Sequence, residues 1–90
     1  MKHYLHISFK WSRPHDPKTL ESMFNNALDW VRYAPNCWIV WTSNDAAAWY
    51  ERVRHHMIKA DNVFICKLDL SENNGWLPKF VWDWLNKKRV

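Results

Sequence analysis

The amino-acid sequence predicts an α+β domain: an antiparallel sheet with helices packed on one of its faces. Three observations carry that reading. Residues 3–10 alternate apolar and polar side chains, the period of a half-buried strand. Two later stretches, near residues 17–30 and 45–59, repeat apolar side chains at helical spacing behind N-capping residues. Residues 37–42 and 63–70 are rich in β-branched and aromatic side chains, as strands are. Ninety residues suffice for one core and no second, so the domain spans 1–90.

Taken in order, the first strand places Leu5, Ile7 and Phe9 on one side and Tyr4, His6, Ser8 and Lys10 on the other. Residues 11–14 make a loop. Asp16-Pro17 starts a helix, with an oxygen acceptor at the N-cap and a residue whose missing N–H costs nothing at the first helical position. Leu20, Phe24, Ala27, Leu28 and Val31 then extend the helical spacing to about residue 29. Residues 30–34 are short, either a strand or the frayed end of that helix. Pro35-Asn36 is a turn, and residues 37–42 form the next strand.

Ser43-Asn44-Asp45 caps a second helix whose stripe is Ala46, Trp49, Val53, Met57 and Ala60, ending at Asp61-Asn62. In the strand that follows, Phe64, Cys66 and Leu68 alternate with Ile65, Lys67 and Asp69. After a polar loop, Pro78 opens a last helix near 79–88 containing Val81, Trp84 and Leu85. Leu5, Ile7, Leu20, Phe24, Leu28, Ile39, Val53, Met57 and Phe64 are the expected core.

The order β-α-β-β-α-β plus a C-terminal helix is that of a ferredoxin-like, split β-α-β sheet with right-handed crossovers. One sheet face is left for the last helix, a second subunit or a ligand to cover.

Composition narrows the function classes. Eight tryptophans in so short a chain cannot all be fully buried, so some belong to an interface or a binding face. The net charge of +4 suits an anionic partner. One glycine, no GxGxxG and no Walker-type lysine leave nucleotide-dependent chemistry without support, and no cofactor is expected. Cys37 and Cys66 sit in apolar runs and read as buried free thiols. The absence of an apolar leader or membrane-length segment makes a cytoplasmic protein with no membrane partner the expectation.

Four stretches carry a family resemblance: Leu5-His-Ile-Ser-Phe9, Cys37-Trp-Ile-Val-Trp-Thr42, Val63-Phe-Ile-Cys-Lys-Leu68 and Val81-Trp-Asp-Trp-Leu85. Over most of its length the chain resembles the small SinR-like proteins, ferredoxin-like relatives of the CRISPR adaptation nuclease subunit and of the VapD toxins. The resemblance implies a ferredoxin-like protomer and a homodimer. In the nuclease branch an aromatic-Asp pair closes the first strand, where the aspartate would hold a divalent metal between two subunits. Here the equivalent pair is Phe9-Lys10. A lysine supplies no oxygen to a hard cation and repels it, which argues against the branch's metal-dependent phosphodiesterase activity.

The candidate binding residues follow from charge and aromatic placement. Arg52, His55, His56 and Lys59 share one side of the second helix, either a solvated charged face or a phosphate-contacting stripe. Lys87, Lys88 and Arg89 extend that positive surface, and histidine protonation below about pH 6.5 would strengthen it. Lys10 ends the first strand and Trp11 and Arg13 follow it, and Trp82 faces away from the Trp84 stripe. His3 and His6 point to opposite faces, His55 and His56 diverge, and no HxxxH or HExxH occurs, so no metal site is expected.

The leading expectation is therefore a non-catalytic, dimeric protein that binds nucleic acid or a protein of a nucleic-acid-processing complex. An inhibitor of a host defence complex, encoded by a phage or mobile element, falls within that class. The alternative is a divergent metal-dependent endoribonuclease or endodeoxyribonuclease of the CRISPR adaptation subunit type, with acids such as Asp69 or Glu72.

Overall fold

A computed structural model describes residues 1–90. Strand β1 (His3–Lys10) leads through a loop to a 3-10 turn (Pro17–Leu20) and α1 (Glu21–Phe24). Strands β2 (Asp29–Ala34) and β3 (Cys37–Thr42) form a hairpin across Pro35-Asn36. Helix α2 (Ala46–Val53) continues as a 3-10 turn (Arg54–His56), followed by β4 (Asn62–Leu68) and α3 (Lys79–Leu85). The sheet order is β2-β3-β1-β4, and all three pairings are antiparallel.

The caps work as their residue types require. Asp16 accepts from the Lys18 N–H at 3.0 Å, and Asp45 from the Ala48 N–H at 2.9 Å. The first helix is nevertheless shorter than its spacing suggests, ending at Phe24 rather than near 29. There the Asn26 amide donates to the Met23 carbonyl, and side-chain bonding of this kind competes with helix propagation. Beyond it, pairing with β3 recruits Asp29, Trp30 and Val31 into a strand. Leu28, expected inside, is 57% exposed, and Val31 is buried on the opposite side of the sheet from α1. Helix α2 likewise stops short of 59: Met57 turns to extended backbone and Ala60 lies exposed in a turn. Helix α3 ends at Leu85, not 88.

The main core lies between the helices and one sheet face. Leu5, Ile7 and Phe9 of β1 and Trp38 and Val40 of β3 meet Leu20, Met23, Phe24, Trp49 and Val53. Phe24 stacks on Trp38 with centroids 4.7 Å apart. The buried Trp49 indole donates to the Thr42 hydroxyl at 3.1 Å, so its polar atom enters the core satisfied.

Helix α3 covers part of the other face. Val81 is fully buried against Val31 and Ile39, flanked by Tyr4, Leu68 and Trp84. Arg89 fastens this layer. Its guanidinium lies 3.9 Å from the Trp84 ring centroid and donates to Asp29 Oδ2 at 3.0 Å and to the Trp84 carbonyl at 2.8 Å. On the uncovered part, Phe64 is 64% exposed, which corrects its assignment to the core. Val63 and Ile65 supply the core side of β4 instead. Met57 is half-buried, and the remaining expected core residues are buried. Cys37 and Cys66 are free thiols, half-buried rather than buried. No helix is long and apolar enough to cross a membrane.

Candidate nucleic-acid interface

The end of β1 and the turn before β4 are tied together by one carboxylate. Asp61 Oδ1 accepts from the Ser12 N–H and the Ser12 hydroxyl, both at 2.8 Å. Its Oδ2 accepts from the Ile58 N–H at 2.9 Å and from Arg13 at 3.3 Å. The Ile58 and Ser12 N–H groups hold this carboxyl down to about 2, with help from the Ser12 hydroxyl and Arg13. Asp61 therefore acts as a structural clamp, a part well beyond marking a helix end.

The clamp builds a short aromatic pile edged with cations. The Trp11 indole stacks on Phe9 at 4.7 Å and on the His15 imidazole at 3.7 Å, nearly parallel to both. Arg13 lies 5.8 Å from the Trp11 ring and also donates to the His56 carbonyl at 3.4 Å, bringing the end of α2 alongside. His15 Nδ1 is buried with no hydrogen-bond partner. Burial lowers the His15 pKa first, and the positive charge of Arg13 lowers it further, against the opposing pull of Asp61.

Next to this pile, Lys10 and Phe64 line a shallow groove of about 200 Å³ with Ser8 and Asn62. Lys10 and Lys59 are exposed and make no ion pair. The arrangement offers free cations for phosphate oxygens and an exposed ring for a base, the two elements of single-strand binding.

The residues singled out by sequence thus divide. Lys10, Trp11, Arg13 and His56 come together around the clamp, with exposed His55 and Lys59 on the same connecting segment. Arg52 does not join them. It folds back 4.8 Å from the Trp49 ring and donates to Asn44 at 3.5 Å, at the start of α2. Trp82 belongs to α3 and Lys87, Lys88 and Arg89 to the tail behind it, where Arg89 reaches the Tyr4 hydroxyl rather than Lys10. There Arg89 is packed in and Lys87 sits 3.7 Å from Asp29, while Lys88 is exposed.

His15, Phe64 and Asp61 are the members that the sequence did not reveal. A Trp-x-x-x-His spacing in a loop has no regular periodicity to flag it. Phe64 sits in a strand apolar on both faces, so alternation could not say which side was inside.

On the rest of the open sheet face, His6 Nε2 and the Tyr33 hydroxyl share a 2.6 Å hydrogen bond. Burial pushes the Tyr33 hydroxyl up to about 12, with Cys37 adding to it, and burial lowers His6. Asp69, a candidate acid of the alternative reading, accepts from the Ser71 N–H at 2.9 Å. No three histidine, cysteine, aspartate or glutamate side chains converge in a metal-holding arrangement. The chain matches no family model, no curated protein and no solved structure.

Proposed function

We propose that this chain is a non-catalytic, dimeric, cytoplasmic binding protein of ferredoxin-like architecture whose nucleic-acid contact lies at the end of β1. The strand order β2-β3-β1-β4 supports the architecture, since a split β-α-β topology places β3 between β1 and β2. The observation that carries the binding reading is the grouping of unpaired Lys10 and Lys59 with Arg13, His15, His56 and the exposed Phe64 ring. Phosphate oxygens match the cations, and a base matches the ring.

The non-catalytic part rests on Lys10. An ammonium where the resembling nucleases offer a carboxylate works against binding the cation that would activate water. A second reading, binding to a protein of a nucleic-acid-processing complex, is favoured by Trp76. That indole is 99% exposed in the loop before α3, four residues ahead of the exposed Phe80, and such aromatics anchor protein interfaces.

Fluorescence anisotropy with labelled single-stranded RNA and DNA oligonucleotides tests the proposal. The wild-type chain is expected to bind, and the Lys10→Ala/Lys59→Ala double variant to bind more weakly. Equal binding by both would refute this surface. Binding to neither oligonucleotide would favour the protein partner.

A further inference from the structure

The sheet has two outer strands, and different elements flank them. The free edge of β2 lies in a groove of about 450 Å³ walled by Lys18 and Glu21 on one side and by Phe80 and Trp84 on the other. Beside β4 there is only an open apolar groove of about 330 Å³, lined by Ala46, Ala47 and Tyr50 of α2 together with Val63, Phe64 and Ile65. The β4 sequence, Asn-Val-Phe-Ile-Cys-Lys-Leu, has no proline, no glycine and a single charge. A strand of this kind at a sheet edge is a template for pairing with another strand.

The direction of its free backbone groups follows from the registers. Phe9 donates its N–H to Asn36 across the β1–β3 pair, so the odd residues of β1 bond toward β3 and the even ones toward β4. The partners of those even residues are Asn62, Phe64, Cys66 and Leu68. Val63, Ile65 and Lys67 therefore point their N–H and C=O groups outward, and no other hydrogen bond occupies them.

We infer that β4 pairs antiparallel with β4 of a second copy of this chain, about a two-fold axis at Ile65, joining two four-stranded sheets into one. The inference rests on the dimeric reading above and deepens it. Self-complementarity chooses both the occupant and the register. A two-fold antiparallel pairing must match outward residues with outward residues, which an axis at any residue from Val63 to Lys67 does, but an axis at Phe64 sets Lys67 opposite Asp61 and an axis at Cys66 sets Val63 opposite Asp69, both outside the strand. An axis at Lys67 sets two ammonium groups opposite each other, which is unfavourable in a cross-strand pair. An axis at Val63 sets Ile65 opposite Asp61, which lies outside the strand and is held inward by Ser12 and Arg13.

The axis at Ile65 avoids all of these, because it alone pairs Val63, Ile65 and Lys67 entirely among themselves. Ile65 meets its own copy, and Val63 meets the second copy's Lys67, so no like charges face each other. All outward N–H and C=O groups of Val63, Ile65 and Lys67 find partners. On the other sheet face, Phe64 lies against the second copy's Cys66 in a non-bonded pair, with Cα atoms about 4.5 Å apart. The groove beside Tyr50 and the side of Phe64 that lines it are covered by the same contact, while the side of Phe64 that lines the groove with Ser8 and Lys10 stays open.

Sedimentation combined with residue-resolved amide exchange tests the pairing on the full chain. A dimer is expected in which protection of the Val63, Ile65 and Lys67 amides rises with protein concentration. Phe64→Glu, a change at an exposed position, is expected to weaken dimerisation about tenfold or more, as loss of a central aromatic contact does. Phe64→Cys in a Cys37→Ser background, treated with oxidised glutathione, is expected to give a covalent dimer through Cys66, where Cys37→Ser alone gives much less. A dimer whose three amides exchange freely at every concentration overturns the edge pairing and leaves the dimeric reading standing. A monomer at all concentrations overturns both.

Discussion

Replacing Phe24 by alanine tests the packing on which the whole arrangement rests. Phe24 is fully buried and touches three indoles, stacking on Trp38 at 4.7 Å and lying about 6 Å from Trp49 and Trp30. Burying such a ring is worth roughly 1.5–3 kcal/mol in transfer free energy alone. Its removal leaves up to roughly 100 Å³ of cavity, at about 24 cal/mol per Å³. The rigid indoles on its flanks can collapse only partly, so the expected loss is about 3–5 kcal/mol. A chain of this length has a total stability of roughly 5–13 kcal/mol, so the variant should be marginal. Its melting temperature should fall by about 15–25 °C. Urea unfolding followed by tryptophan fluorescence measures the change, with the slope against denaturant expected to stay constant. Trp76→Ala, at an exposed indole, is the control and should lie within about 0.5 kcal/mol of the parent. A loss below about 1 kcal/mol for Phe24→Ala would refute the placement of α1 against the sheet.

Three further outcomes follow from other contacts. The Asp61 carboxyl titrates near 2 in the folded chain against 3.8 ordinarily, so its contribution is complete above about pH 4 and is lost as pH falls toward 2. Asp61→Asn should flatten the acid limb of stability against pH and be less stable at pH 7; an acid limb unchanged from the parent would discount the clamp. Arg89→Ala should cost roughly 1.5–3 kcal/mol by removing the charge-assisted bond to Asp29, and should loosen α3, visible as faster amide exchange in residues 79–85. Unaltered exchange there would show that Val81 alone holds the helix. Purified protein should leave RNA and DNA intact in magnesium or manganese; metal-dependent cleavage abolished by Asp69→Ala would restore the nuclease reading.

Much of the layout was legible in the sequence because single rules acted without competition. The alternation of β1, the Asp16 and Asp45 caps and the Cys37–Thr42 strand each follow from local chemistry. Legibility failed where two rules conflicted. Leu28 and Val31 continue the helical spacing of Leu20 and Phe24, but ladder pairing with β3 overrides that spacing from Asp29 onward. In β4 both alternate sets are apolar, so only the packing of Val63 and Ile65 under α2 decides the register.

The candidate site was legible as residue types and obscure as an assembly. Arg52 reads as a member of a positive stripe, yet the π-face of Trp49 one turn earlier draws it back. Arg89 reads as a tail cation, yet Trp84 and Asp29 fix it in place, 60 residues from its acid partner. Asp61 reads as a helix end, and only the approach of Ser12 and Arg13 from 48 or more residues away turns it into a clamp. Pairings at such separations leave no periodic trace in the chain.

The salt dependence of oligonucleotide binding, compared between the parent and Lys10→Ala, tests the central claim most directly. Each phosphate contact to a single strand steepens the plot of log affinity against log salt by about 0.7. If Lys10 holds a phosphate, the variant should bind more weakly at low salt, with a slope shallower by about 0.7, and the two plots should converge as salt rises. Parallel plots, or binding indifferent to salt in both proteins, would contradict a phosphate-binding surface at the end of β1.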